Sequence, residues 1–197
     1  MHKDITREKW LTDACEHFLD TLIMPVVNNE YTRPNIKISI GWMYRSAKSI
    51  GQCFRRSSSA GNVNEIFIRP DYDKSLRILD ILIHEIIHAV DDCESGHRGF
   101  FRSTAKGVGL SGKMTATVAG EELTATLTAY IEEHGDIPHA ALQTDQSTTK
   151  KQSTRMLKLE CGTCGFTARM SNKWLEQIDT DEAFCPCCGS QGELMKV

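Results

Sequence analysis

Hydrophobic and polar residues alternate along the chain with two different periods, which together predict a mixed α+β fold. From about Thr6 to Ile23 the apolar residues recur at helical spacing, and Pro25 is expected to end that helix. The segment Ile36–Ile40 instead alternates apolar and polar positions, which is typical of a strand. Ile66–Ile68 predicts another strand, whereas the apolar stretch Ile50–Phe54 indicates no clear element.

A long apolar segment in the middle of the chain predicts a buried central helix. It runs from about Lys74 to Asp92 and is apolar on most faces, with Asp71 or Asp73 available to cap its first turn. Two shorter helices and a turn-rich connection between them are predicted at about Arg98–Gly107, Gly120–His134 and Gly112–Gly120.

The pattern changes after His134, where helix-breaking and polar residues follow one another. We interpret residues 1–134 as one domain, residues 135–155 as a linker and residues 156–197 as a small second domain. The second domain contains five of the eight cysteines of the chain. This clustering favours metal binding over disulfide formation.

The cysteines after position 160 form two CxxC pairs, Cys161 with Cys164 and Cys185 with Cys188. The twenty residues between the pairs match the spacing of a zinc ribbon with four thiolate ligands. Four thiolates close the coordination shell, so this zinc would be structural, and a module of about forty residues needs such support to fold. Cys187 is the spare cysteine, which we expect to take no part in binding.

The distribution of charge along the chain bears on whether nucleic acid is a partner. The net charge is −3, but the segment from Tyr31 to Asn64 contains six basic residues and no acidic one. With its aromatic residues, this segment predicts either a surface facing DNA or an ordinary solvated sheet face. The basic residues of the ribbon, with Trp174 and Phe166, also leave two alternatives: the ribbon contacts nucleic acid, or it is a scaffold with ordinary solvated charges.

The chain contains no apolar run of membrane-spanning length, and its first residues lack the apolar core of a signal peptide. These two features predict a cytoplasmic protein that does not enter a membrane.

The central helix contains the sequence His84-Glu85-Ile86-Ile87-His88. Residues four apart lie on one face of a helix, so both imidazoles can reach one zinc ion. Glu85 would lie beside the metal, where it can take a proton from the water that zinc activates and pass it to the leaving amine. An apolar helix would bury three ionisable groups at a high cost unless they bound something.

A catalytic zinc needs a third protein ligand. His97 is a candidate because Gly96 allows the chain to turn back after the helix. Glu121 or Glu122 on the later helix would give a site of two histidines and one carboxylate. Spacing alone leaves these alternatives open.

The segments Leu82–Ala89 and Gly96–Phe101 resemble the SprT-like family of zinc metallopeptidases, whose zinc helix is followed by a His-Gly-x-x-Phe segment. Arg98 stands where the family usually has glycine. The segments Gly112–Gly120, Pro138–Leu142 and Arg155–Lys158 resemble phage-encoded members, so that the likeness covers most of the chain from about Ile36.

The resemblance implies a zincin-like domain with a small antiparallel sheet and a catalytic zinc held by His84, His88 and His97. With the ribbon zinc, it predicts two zinc ions and no small-molecule cofactor. It also implies that the chain hydrolyses proteins on or near DNA, with Glu85 as the catalytic residue. We further predict that the strand near Ile66 aligns the substrate as an added strand. The alternative is a zinc-binding adapter linked to nucleic acid or transcription, without significant peptidase turnover.

Overall fold

A computed structural model describes residues 5–28, 30–44, 48–143, 156–177 and 184–197. The chain divides into two units, Met1–Asp145 and Gln146–Val197. Most of the predicted linker and the basic residues Arg45, Lys150, Lys151 and Arg155 lie outside the described residues.

The first unit contains the predicted helices and strands, together with a strand in the stretch Ile50–Phe54, which had no assigned element, and a hairpin that was not predicted. Its helical segments are α1 (Arg7–Phe18), a π-helical turn (Leu19–Ile23), α2 (Met24–Val26), a 3₁₀ turn (Arg56–Ser58), α3 (Ser75–Val90), α4 (Gly99–Gly107) and α5 (Glu121–His134). Its strands are β1 (Ile36–Ile40), β2 (Gly51–Phe54), β3 (Asn64–Ile68), β4 (Leu110–Lys113) and β5 (Ala116–Ala119).

The three-stranded sheet has the order β1-β3-β2, in which β3 runs parallel to β1 and antiparallel to β2. The expectation of an antiparallel sheet is therefore wrong for β1. The hypothesis that the strand near Ile66 aligns a substrate is also wrong, because β3 is the central strand and both of its edges are already paired. Among the residues that the structure describes, β2 pairs with β3 alone and so has its other edge open.

Helix α3 is the centre of the first unit. It packs against α1, α4, α5 and the inner face of the sheet. Apolar residues on opposite faces of the helix, such as Ile78 and Ile87, are fully buried, as its all-round apolar pattern predicts. This packing fixes the position of the polar residues that the helix carries.

Two local predictions around α3 are wrong. Neither Asp71 nor Asp73 caps the helix: its N-cap is Lys74, which makes no side-chain cap. Asp71 instead accepts hydrogen bonds from Arg69. The region predicted as a turn-rich connection is the hairpin β4–β5, whose four-residue strands are too short to give a clear alternating pattern.

The chain beyond α5 stays with the first unit. Ile137 is buried in the core, the Trp10 indole N–H donates to the carbonyl of Gly135, and the Leu142 N–H donates to the carbonyl of Pro70. Residues 135–143 therefore pack onto the first unit beyond the predicted boundary at His134.

The second unit is a small antiparallel sheet with the strand order β7-β6-β9-β8. Its elements are β6 (Met156–Cys161), β7 (Thr167–Ser171), α6 (Asn172–Leu175), β8 (Phe184–Cys185) and β9 (Gly189–Lys196). In the described part of both units, no helix has the length and apolar character needed to cross a membrane.

Candidate metal centres and the adjoining cavity

Three histidine rings meet at one point beside α3. His84 and His88 lie one turn apart on the helix, and His97 comes from the loop that follows it. The Nε2 atom of His97 lies 3.2 Å from Nε2 of His84 and 3.3 Å from Nε2 of His88. The three side chains form a group that could hold a metal ion.

The spacing of the nitrogen atoms fits a metal ion with tetrahedral ligands. Ligands at about 2.0–2.1 Å from a tetrahedral zinc ion lie about 3.3–3.4 Å from one another. The measured separations of 3.2 and 3.3 Å agree with this value. The donor set of three imidazoles is also one that leaves a fourth position open, as catalytic zinc sites do.

The loop after α3, which carries His97, is tied back to the end of the helix by two hydrogen bonds from its backbone N–H groups. The Cys93 N–H donates to the carbonyl of His88 at 2.7 Å, and the Ser95 N–H donates to the Asp91 carboxylate at 2.9 Å. Gly96 adopts a left-handed φ of +55°, which favours glycine and allows the chain to turn back towards the helix.

The other proposed third ligands lie elsewhere. Glu121 and Glu122 are exposed in the first turn of α5, where acidic residues suit the helix dipole. Neither belongs to the group that the three histidines form.

Two further side chains position the histidine rings. Phe101 is fully buried, and the centroid of its ring lies 4.3–5.0 Å from those of the three imidazoles. The buried Thr117 on β5 places its hydroxyl oxygen 2.8 Å from Nδ1 of His84. A hydrogen bond to Nδ1 fixes the tautomer and directs Nε2 towards a metal. No sequence pattern indicated Thr117, because its strand was not predicted.

Thr117→Val is expected to weaken zinc binding at the histidine site by about 10–100-fold, as the loss of a partner that orients a ligand does elsewhere. The hydroxyl is replaced by a methyl group of similar size, so Nδ1 of His84 loses its partner. Competition with a chelator measures the affinity, with Thr115→Val in the exposed turn of the same hairpin as the matched control. Equal zinc affinity in Thr117→Val and wild type would show that Thr117 does not orient His84 for metal binding.

Burial keeps these imidazoles neutral. It lowers the pKa of His84 to about 3, with smaller contributions from His88, His97 and Arg77, and lowers that of His88 to about 4. The pKa of His97 is also lowered by burial. At neutral pH the rings therefore carry the free lone pair that a metal ligand needs.

Glu85 lies next to His84 on α3 and is 6% exposed. Burial raises its pKa to about 8, the charge of Cys93 adds to this, and a hydrogen bond from the Cys53 backbone N–H opposes it. The carboxylate is also in close contact with β2, since a Cβ atom at Gly51 would lie 2.6 Å from its Oε1. Strand β2 thus fixes the position of Glu85.

Glu85→Gln is expected to stabilise the metal-free protein at alkaline pH. Above the ordinary pKa of 4.5 the unfolded chain ionises Glu85, whereas the folded chain keeps it protonated up to about pH 8, so the unfolding free energy falls across this window. Glutamine does not ionise, so the variant does not lose this stability. The loss in wild type is on the order of a few kcal/mol because one pKa unit corresponds to about 1.4 kcal/mol.

Urea unfolding in the presence of a chelator, at pH 4 and pH 8, checks this expectation. The two proteins should differ at pH 8 and converge at pH 4, where both states of the wild type are protonated. The buried histidines act with the opposite sign, since their lowered pKa values cost stability as the pH falls below 6.5, but they are present in both proteins. A stability difference that does not change with pH would contradict the raised pKa of Glu85.

The three histidines and Glu85 border a cavity of about 580 Å³. Strand β2 lines one side with Gly51, Gln52 and Cys53, and the hairpin lines another with Thr115, Ala116 and Thr117. A cavity of this size accommodates a ligand of several residues and brings it against the candidate metal ligands.

The second unit contains the other candidate metal centre. The sulfur atoms of Cys161, Cys164, Cys185 and Cys188 all lie within 4.8 Å of one another, and those of Cys164 and Cys185 are 3.6 Å apart. Thiolates at about 2.3 Å from a tetrahedral zinc lie about 3.8 Å apart, so the spacing fits. Cys187 is not part of this group in the described part of the chain.

The backbone around these cysteines supports metal binding. N–H groups of Cys164 and Thr163 donate to the sulfur of Cys161 and, together with the neighbouring thiols, lower its pKa to about 7. The N–H of Cys187 lies 3.3 Å from the sulfur of Cys185. Gly192 is a residue that the sequence analysis missed: a Cβ atom there would lie 2.8 Å from the sulfur of Cys161.

Comparison with known proteins adds no family to this description. No protein-family model, no curated protein and no solved structure matches the chain. The structure therefore establishes a mixed α+β protein with small sheets and two side-chain groups that could hold metal ions.

Proposed function

We propose that the chain is a zinc-dependent metalloendopeptidase with a zincin-like first unit, similar to the SprT-like family, and a zinc ribbon as its second unit. The observation that carries the proposal is the convergence of three neutral imidazoles beside a buried glutamate at the wall of a large cavity. Neutral imidazoles suit zinc, and a carboxylate beside it suits acid–base chemistry.

His84, His88 and His97 would hold the catalytic zinc, and Cys161, Cys164, Cys185 and Cys188 would hold the structural one. When bound at the histidine site, zinc acts as a Lewis acid that polarises the scissile carbonyl and activates water. Thr117 and Phe101 keep the imidazole rings oriented through their contacts with them.

Glu85 serves as the general base and then as the general acid. Its carboxylate takes a proton from the attacking water and returns it to the nitrogen of the leaving amine. Burial raises the pKa of Glu85 to about 8 in the metal-free chain, and the positive charge of a bound zinc would lower it, which favours the ionised form that takes the proton. The Cys53 N–H and the close approach of Gly51 orient the carboxylate.

Strand β2 supplies the edge along which an extended substrate can pair. The Arg69 N–H donates to the carbonyl of Ile50, so Ile50 and Arg69 form a hydrogen-bonded pair of the antiparallel ladder. Bonded and non-bonded pairs alternate, so the backbone groups of Gly51 and Cys53 point away from β3. Those of Cys53 already contact Glu85 and the Cys93 thiol, so the substrate would pair at Gly51 and lie as an added strand beside Glu85.

The experiment that tests the proposal compares Glu85→Gln with wild type on a protein substrate bound to DNA. The variant should keep its metal content and lose hydrolysis by at least about a hundredfold, because general acid–base catalysis contributes about 10²–10⁴-fold. Glu121→Gln, an exposed acid on α5, is the matched control and should keep full activity. Full activity in Glu85→Gln would show that the peptidase mechanism is wrong.

A second candidate function, a nucleic-acid-associated adapter, is favoured by one observation. The outer side of the sheet carries an aromatic patch formed by Trp42, Tyr44, Phe54 and Phe67, in which Trp42 and Tyr44 are more than half exposed. The exposed Arg55 follows Phe54 in the chain. Aromatic rings with basic neighbours suit the stacking of single-stranded bases.

Fluorescence anisotropy with a labelled single-stranded oligonucleotide tests the adapter function. Trp42→Ala should weaken binding by about five- to a hundredfold, because stacking contributes about 1–3 kcal/mol per base. Trp174→Ala, which removes an exposed tryptophan from the second unit, is the comparison. Binding of the oligonucleotide by wild type without any Glu85-dependent hydrolysis would favour the adapter function.

We propose the cytoplasm as the compartment for either function.

A further inference from the structure

Two cysteines of the first unit lie side by side at the wall of the cavity. Cys53 is on β2, Cys93 is in the loop after α3, and neither forms a disulfide. The sulfur of Cys93 lies 3.7 Å from the carbonyl oxygen of Cys53, and the two thiols are close enough to raise the pKa of Cys53 and lower that of Cys93. Forty residues separate them in the sequence, so the fold alone brings them together.

The surroundings of this pair differ from those of a packing cysteine. Cys15 on α1 is 1% exposed and lies within the hydrophobic core, as expected for a small apolar filler. Cys53 also packs against the core, but it and Cys93 are only partly buried, and both border the same cavity as Glu85. Through this cavity a small oxidant can reach both sulfur atoms.

We propose that Cys53 and Cys93 form a redox-active pair that a peroxide converts reversibly into a disulfide across the wall of the active-site cavity. Disulfides in reducing compartments are usually transient and redox-sensing, which suits a pair that is reduced at rest. The regulatory consequence rests on the proposed peptidase function, whereas the modification itself does not.

The chemistry requires only the two thiols and the peroxide. One cysteine loses its proton and attacks one oxygen of the peroxide as the thiolate; the O–O bond breaks, a sulfenic acid forms, and the departing hydroxide takes up the proton as water. The other cysteine, after losing its proton, attacks that sulfur, forms the S–S bond and expels hydroxide, which takes up the proton as water. Two thiols and one hydrogen peroxide thus become one disulfide and two waters. A dithiol reductant reverses the reaction by two successive exchanges.

The disulfide would act on the groups that orient Glu85. Cys53 donates its backbone N–H to the Glu85 carboxylate, and Cys93 lies on the loop that carries His97. A bond of about 2.05 Å between the sulfur atoms draws β2 and this loop together. Since a misplacement of about 1 Å at a catalytic group can cost a hundredfold in rate, we expect oxidation to reduce hydrolysis by at least about tenfold.

Peptide mapping of the zinc-loaded full chain tests the modification without using its activity. The protein is treated with hydrogen peroxide, its free thiols are alkylated, and it is digested with trypsin. Cleavage after Lys48, Arg55, Arg77 and Arg98 gives peptides 49–55 and 78–98, each with one of the two cysteines. The expected product is these two peptides joined and separable by dithiothreitol.

Three variants complete the design. Cys93→Ser and Cys53→Ser should each abolish the joined peptide, and one of them suffices if the other fails to fold. Cys187→Ser, which removes an exposed thiol from the second unit, is the matched control and should still give it. Hydrolysis is compared before and after oxidation within each protein, so any effect of the substitution itself cancels.

The outcomes separate this inference from the proposed function. The joined peptide, with a reversible loss of hydrolysis in wild type and Cys187→Ser but not in Cys93→Ser, supports it. Absence of the joined peptide, with zinc retained, overturns the modification site whether or not the chain hydrolyses proteins. A joined peptide with unchanged hydrolysis overturns the regulatory consequence. If the reduced proteins hydrolyse no substrate, the proposed peptidase function is wrong, and so is the regulation of hydrolysis by oxidation. Peptide mapping still shows in that case whether Cys53 and Cys93 form a disulfide.

Discussion

Gly51→Ala is expected to reduce peptide-bond hydrolysis by about a hundredfold or more while the metal content stays at the wild-type level. A Cβ atom at residue 51 would lie 2.6 Å from Oε1 of Glu85 and 2.7 Å from Cγ2 of Ile81, closer than such atoms approach. Strand β2 is hydrogen-bonded to β3 on its other side and cannot simply withdraw. Glu85 must therefore move, and its carboxylate leaves the position from which it transfers protons.

Gly61→Ala provides the control for Gly51→Ala. A Cβ atom at residue 61 would meet its nearest neighbours at 3.6–3.8 Å, which is ordinary van der Waals contact. Hydrolysis rates and zinc content are measured together for both variants, and Gly61→Ala should match wild type in both. Wild-type hydrolysis in Gly51→Ala would contradict the orientation of Glu85 by β2.

Cys161→Ser is expected to release one zinc per chain and unfold the second unit, while the first unit stays folded. Cys161 is buried in a four-stranded sheet that offers only a small apolar core, so metal binding must supply most of the folding free energy. Structural zinc contributes about 10–16 kcal/mol in comparable small modules, which is far more than the net free energy of folding of such a module.

Limited proteolysis and metal analysis check this expectation. Cleavage should appear within residues 146–197 and leave a resistant fragment of the first unit. Cys187→Ser, whose residue lies outside the group of four, should keep both the metal and the resistance. A second unit that stays folded and resistant in Cys161→Ser would show that metal does not hold it together.

The parts of the sites that depend on local spacing could be predicted from the sequence. His84 and His88 face the same side because residues four apart on a helix always do so, and Glu85 follows from the same geometry. His97 was a candidate because it lies only nine residues beyond His88 and directly follows a glycine. The two CxxC pairs were recognisable for the same local reason.

The parts that depend on the tertiary fold could not be predicted. Thr117 meets His84 across 33 residues, and Gly51 and Cys53 meet Glu85 across more than 30, with no pattern that links them. The strand order β1-β3-β2 likewise depends on which edges pair after collapse, and the alternation of Ile36–Ile40 is the same in a parallel or an antiparallel strand. The residues that orient the histidines and the glutamate thus became visible only in the structure.

We expect the chain to hold one zinc at the histidine group and a second at the cysteine group. Zinc content per chain, measured by mass spectrometry of the metal in wild type, His97→Ala and Cys161→Ser, tests this expectation. We predict two zinc ions in wild type, retention of the ribbon zinc with weakened binding of the other in His97→Ala, and loss of the ribbon zinc alone in Cys161→Ser. A single zinc in wild type that His97→Ala leaves unchanged would contradict the three-histidine centre.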